Sequence, residues 1–126
     1  MPLGLSRRTG FAATVAALAL PLVACGARAP AGVAGDAAAG QVAVTRMACG
    51  SCHVIPGAEE ADGRVGPPLT GFAKRQMIAG VLANSPANLE RYLRAPDAVV
   101  PGNVMPDQHL SDKQLRDITA YLFTLN

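Results

Sequence analysis

Cys49 and Cys52 stand three positions apart and His53 follows directly, so Cys49-Gly50-Ser51-Cys52-His53 gathers two thiols and an imidazole on one short stretch of chain. Two thiols at that spacing can add across two vinyl groups of one porphyrin, and the adjoining imidazole then falls beneath the iron as an axial ligand. The run is the attachment signature of c-type haem. Two other chemistries use paired cysteines. A redox dithiol needs a βαβ context that this helix-and-loop chain does not offer. A structural zinc needs two further ligands at metal spacing, and only His109 remains.

A six-coordinate iron needs a second ligand, for which Met47, Met77, Met105 and His109 are the candidates. Met47, just ahead of the first cysteine, is expected to point into a helix pair. Met77 lies in Gln76-Met77-Ile78-Ala79-Gly80 and reads as a flexible filler of the core. Met105 sits in Val100-Pro101-Gly102-Asn103-Val104-Met105-Pro106, a segment stiffened by two prolines and free of helical periodicity. Such a loop can hold a weak thioether ligand, so Met105 is assigned that role and His109 is read as a surface residue. With His53 and Met105 as the metal ligands, no coordination position is left for substrate. The chemistry is then one-electron transfer rather than catalysis; a peroxidase-like haem enzyme requires that Met105 does not bind.

These residues need helices and loops to place them. Asp36 can cap a helix running to residue 48, in which Ala37, Gly40 and Val44 recur at helical spacing and allow close approach of another helix. Ser85-Pro86 supplies an N-cap and a first-turn proline for a helix through Arg94, stopped by Pro96. Ser111-Asp112-Lys113-Gln114 is a capping box, and Leu115, Ile118, Leu122 and Leu125 follow on one stripe. The first and last helices should cross near Gly40 and Tyr121. A shorter helix is expected over residues 72–83. With thirteen Gly, ten Pro, three Phe, two Tyr and no Trp, the core is built mainly from Ala, Val and Leu, around something other than side chains. Leu69, Leu89, Tyr92, Leu93 and Leu122 are the expected pocket walls.

Over nearly all of residues 35–126 the chain resembles the class I cytochrome c family. The resemblance rests on Gly35-Asp36 and Gly40 leading to the haem motif and on Val65-Gly66-Pro67-Pro68-Leu69-Thr70-Gly71. It continues through Tyr92-Leu93-Arg94-Ala95-Pro96 and Pro101-Gly102-Asn103-Val104-Met105 to Asp117-Ile118-Thr119-Ala120-Tyr121-Leu122. It implies an all-α, small cytochrome c fold, with first and last helices crossing and loops wrapped around one covalently attached haem c. It also implies that the Pro67 carbonyl accepts the Nδ1 proton of His53, and that Tyr92 and Asn103 lie near the Met105 sulfur and tune it. The chain departs from the family pattern in three places: Val44 stands where an aromatic residue is usual, one extra residue separates Gly40 from Cys49, and no Trp is present near a propionate. Arg75 is the residue weighed for the propionates.

Residues 1–24 carry a basic start (Arg7, Arg8), an apolar run and then Leu22-Val23-Ala24-Cys25, the layout of a lipoprotein-type signal peptide with Cys25 as the lipidated residue. Residues 25–35 read as a lipid-anchored flexible tether and residues 36–126 as the cytochrome domain. The alternative is cleavage after Ala29, which releases a soluble periplasmic protein. Setting Arg7 and Arg8 aside, the eleven Lys/Arg fall to nine, equal to the nine Asp/Glu. A near-neutral chain with no basic block excludes nucleic acid as partner. The expectation is therefore a monomeric, membrane-tethered electron carrier of a respiratory chain, meeting redox proteins on the periplasmic side of a bacterial membrane. The alternative is a dedicated haem subunit of a periplasmic dehydrogenase or oxidase.

Overall fold

The computed structural model describes residues 29–126. The signal-peptide reading of residues 1–24 and the lipidation of Cys25 lie outside the described residues.

Helix α1, Ala37–Arg46, starts where the Asp36 carboxylate accepts the N–H groups of Ala38 and Ala39 at 2.9 and 3.1 Å, satisfying two of the orphan donors of the first turn. It ends two residues earlier than the sequence suggests. Ala48 turns left-handed at φ 53°, and the 3-10 turn Cys49–Ser51 begins there, redirecting the chain at the first thiol.

Helix α2, Pro86–Arg94, is capped by Ser85 Oγ, which accepts from Asn88 N–H at 3.3 Å, and it buries Leu89 and Leu93. Pro96 ends it and also opens α3, the single turn Pro96–Val99, because proline fits the first helical position. Helix α4, Asp112–Leu122, has the full capping box: Ser111 Oγ accepts from Gln114 N–H, and the Gln114 side chain accepts from Ser111 N–H at 2.9 Å. Leu115, Ile118, Tyr121 and Leu122 are buried on this helix, and Leu125 just beyond it. Together with Val44, Leu89, Leu93 and Phe72 they make the core. Phe72 and Phe123 close its end edge-to-face, with centroids 5.8 Å apart.

Helix α1 crosses α4 at Gly40. A Cβ there would come within 2.8 Å of Tyr121 Cβ and 2.5 Å of the Asp117 carbonyl carbon, so only glycine lets the two backbones meet.

The helix expected over residues 72–83 is not formed. A 3-10 turn at Phe72–Lys74 is followed by a two-stranded antiparallel hairpin, β1 Met77–Ile78 and β2 Leu82–Ala83. Ala79 and Gly80 are both left-handed (φ 49° and 74°), and Val81 N–H donates back to the Ile78 carbonyl at 3.1 Å. Asn84 locks the hairpin to the preceding turn, its Nδ2 donating to the Phe72 and Arg75 carbonyls at 2.9 and 3.0 Å. The framework is otherwise helical.

Part of the segment read as a tether touches the domain. Ala29 and Val33 pack against the core, and Asp36 N–H donates to Asp117 Oδ1 at 2.9 Å. Burial by itself would raise the Asp117 carboxyl. The Lys113 hydrogen bond, the Asp36 N–H and the charges of Lys113 and Arg116 together outweigh it and hold the group below its ordinary value of 3.8. A carboxyl depressed in the folded state stabilises the fold above its unfolded value, and that contribution is lost as pH falls through the folded value. Stability measured by denaturant titration below about pH 4 should therefore fall more steeply in the native protein than in Asp117→Asn. Equal slopes would remove this ion cluster as a source of acid sensitivity.

Candidate haem site

A cavity of about 480 Å³ opens between α1, α2, α4, the hairpin and the loops on either side of them. The volume lies in the range of cofactor and small-molecule sites.

The attachment motif forms one wall. Cys49 and Cys52 are not paired in a disulfide and both line the cavity. Burial pushes the Cys49 thiol up, opposed by a backbone hydrogen bond and reinforced by the neighbouring Cys52, so it stays neutral.

His53 follows, its ring held by the neighbouring loop. Its Nδ1 lies 2.7 Å from the Pro67 carbonyl, and since a carbonyl only accepts, Nδ1 is the donor in this contact and Nε2 is the nitrogen left for a metal. Gly66 makes this possible. A Cβ at Gly66 would stand 2.6 Å from His53 Nδ1 and 2.8 Å from Nε2, so the loop can lie against the ring only without a side chain. Gly66 N–H also donates to the Cys52 carbonyl at 2.8 Å, lacing this loop to the attachment turn. In the sequence, the only signal of this role for Gly66 is its position directly before Pro67.

Leu69 continues from that loop into the wall, facing Leu89, Tyr92 and Leu93 of α2 and Leu122 of α4. Burial raises the Tyr92 phenol above its ordinary value, so its hydroxyl remains a donor at any physiological pH. Val44 also lines the cavity, in the position noted as lacking an aromatic ring.

Met105 and Asn103 enter from the proline-stiffened loop. Asn103 Nδ2 donates to the Val100 carbonyl at 3.0 Å and its Oδ1 accepts Met105 N–H at 2.8 Å. These bonds hold the side chain's polar atoms to the loop's own backbone, a role the resemblance did not include.

The remaining candidates separate. Met47 lies between α1 and α4, its sulfur 3.8 Å from Gln114 Nε2, and also touches the cavity. Met77 is 45% exposed and lines the cavity from the hairpin, so it is no core filler: the strand turns its side chain outward where a helix would have buried it. His109 is exposed and outside the cavity, next to Asp107. Arg75 reaches the cavity with its guanidinium held by the Pro68 and Thr70 carbonyls and laid over the Phe72 ring at 5.7 Å.

Two thiols, an imidazole with its outer nitrogen available, a thioether and a largely apolar lining make a donor set that fits a covalently attached porphyrin. Among the described residues, no group of three or more His, Cys, Asp or Glu is arranged to hold a metal ion by itself. The fold and this site define a small c-type cytochrome. The Cytochrome c family model matches residues 37–126, and the chain belongs to the cytochrome c family. Membership carries with it a covalently attached haem c. The chain is 36% identical over 87 residues to the cytochrome c oxidase subunit 2 of Bacillus sp. (strain PS3), a match covering 66% of this chain and 24% of that protein. With the subunit 2 of Alkalihalophilus pseudofirmus the identity is 38% over 78 residues, covering 61% and 22%. With that of Bacillus subtilis it is 35% over 78 residues, covering 59% and 22%. The chain thus spans about a quarter of the length of these curated relatives.

Proposed function

We propose that this chain is a one-electron carrier of a respiratory chain, moored by lipid on Cys25 to the periplasmic face of a bacterial membrane, with His53 and Met105 as the two iron ligands and no catalytic role. When bound, the haem supplies an iron that cycles between two oxidation states. The observation that carries the reading is that the His53 imidazole and the Met105 thioether border the same apolar cavity as both thiols of the attachment motif. His53 donates to Pro67 and keeps its basic nitrogen for the iron. A thioether favours Fe(II), and the apolar walls penalise the extra charge of Fe(III), so the potential should be positive relative to a bis-histidine haem. Val65 and Val104 border the cavity and are 70% and 81% exposed, which suits brief, weak contacts with redox proteins. The near-balance of Lys/Arg and Asp/Glu beyond Arg7 and Arg8 makes such encounters only mildly salt-dependent.

Intact-mass analysis of the protein purified from membranes tests this directly. The expected mass is that of a chain beginning at Cys25 plus one haem plus two or three acyl chains, since one chain holds only weakly. A haem-bearing chain beginning after Ala29 without lipid would contradict the anchor, and a haem-free chain would contradict the carrier.

A second reading is a dedicated haem subunit of an oxidase. It is favoured by the relatives' shared description as cytochrome c oxidase subunit 2, of which this chain matches about a quarter. Co-purification with an oxidase at fixed stoichiometry would favour it over the free carrier.

A further inference from the structure

The loop that carries Met105 has almost no backbone support. Among the described residues, no backbone-to-backbone hydrogen bond involves residues 104–110, and Pro106 has no N–H to offer. Val104, beside Met105, is 81% exposed and anchors nothing. Between α3 and α4 the chain is held instead by side chains that each accept a backbone N–H: Asp97 Oδ1 from Gly102 at 2.7 Å, Asn103 Oδ1 from Met105 at 2.8 Å and Asp107 Oδ1 from His109 at 2.8 Å. Of the three, Asn103 alone works in both directions, because its Nδ2 also donates to the Val100 carbonyl at 3.0 Å. Its amide spans the loop from Val100, at the end of α3, to Met105.

We propose that Asn103 is a positioning residue for the axial thioether: its amide clamps the Met105 backbone to Val100 and so sets how firmly the Met105 sulfur is held over the cavity. The proposal rests on the assignment of Met105 as the second iron ligand. A sulfur is a weak ligand, and the loop it sits on determines how often it is displaced. Asn103 is half-buried at the cavity edge, so its two bonds are partly shielded from competing water. Ala makes neither, and Asp keeps the acceptor for Met105 N–H but replaces the donor to Val100 with an oxygen that repels that carbonyl.

The test uses ferric holoprotein and free imidazole as a competitor for the sulfur's position. In Asn103→Ala the covalent haem remains, and the apparent affinity for imidazole should rise about tenfold or more, the equivalent of two modest hydrogen bonds. The weak long-wavelength absorption of the iron–thioether bond should fade at correspondingly lower imidazole. Asn103→Asp, which keeps the bond to Met105 N–H but sets an oxygen against the Val100 carbonyl, should also raise the affinity, by about threefold or more, and it carries the test where Asn103→Ala fails to mature. Met105→Ala is the control. If it raises imidazole affinity strongly while Asn103→Ala and Asn103→Asp stay within a factor of about two of native, the clamp is wrong and the ligand assignment stands. Unchanged affinity in Met105→Ala would remove the ligand itself, and the clamp with it.

Discussion

Met105→Ala is expected to keep its haem and lose its closed iron. Covalent attachment depends on Cys49 and Cys52, which sit on a different segment, and His53 stays fixed by the Pro67 carbonyl. The variant should therefore mature and remain coloured. Without the thioether, water or an added ligand takes the vacated position. Ferric imidazole affinity should rise by about 100-fold or more, the equivalent of losing an internal competitor of about 3 kcal/mol. The potential should fall by about 100 mV or more, because axial ligand identity sets haem potentials over a range of ~0.8 V and a thioether stabilises Fe(II) relative to water. Potentiometric titration and imidazole binding measure the two effects independently. A native-like potential in the variant would mean that another residue binds the iron, with Met47 and Met77 the other methionines at the cavity.

Gly40→Ala should have the largest effect on stability. The added methyl would lie inside contact distance of the Asp117 carbonyl and 2.8 Å from Tyr121 Cβ, both on buried α4. Neither atom is the far end of a flexible side chain, so the helices must separate or rotate. Overpacking of this kind costs about 1–3 kcal/mol where side chains can yield, and more where backbone must move. Alanine's better helix propensity returns only about 1 kcal/mol. We expect a net loss of about 3 kcal/mol and a Tm lowered by more than about 10 °C at this chain length. Separation of α1 from α4 would also open the cavity at Val44 and Ile118, which line it. Calorimetry of the holoprotein gives the result; a Tm within about 3 °C of native would show that the crossing is looser than its geometry.

The parts that could be read from sequence are those whose signals are local. The Asp36 and Ser85 caps and the capping box at Ser111 each depend on residues within four positions of one another, and all take the expected form. The crossing at Gly40 was legible because a small residue recurs at helical spacing. Residues 72–83 misled because their apolar pattern fits a helix, while Ala79 and Gly80 turn left-handed and Asn84 secures the hairpin from outside the segment. Placing Met77 in the core followed from the same error. Residues 29–35 are small and aperiodic, so they read as a tether. Their attachment comes from Asp117, whose carboxylate meets Asp36 N–H across 81 positions of chain. Such a contact has no local signature. The backbone role of Asn103 was hidden for a related reason, since a motif names a residue but not which of its atoms are already occupied.

The most direct measurement is the NMR spectrum of the reduced native holoprotein carrying 13C-labelled methionine methyl groups. The chain has four methionines, of which Met47, Met77 and Met105 all border the cavity. One methyl held directly over the iron would be moved far upfield by the ring current of the porphyrin, and its signal should vanish in Met105→Ala and persist in Met47→Leu and Met77→Leu. An upfield methyl that survives in Met105→Ala, or no upfield methyl at all, would contradict an iron closed by His53 and Met105.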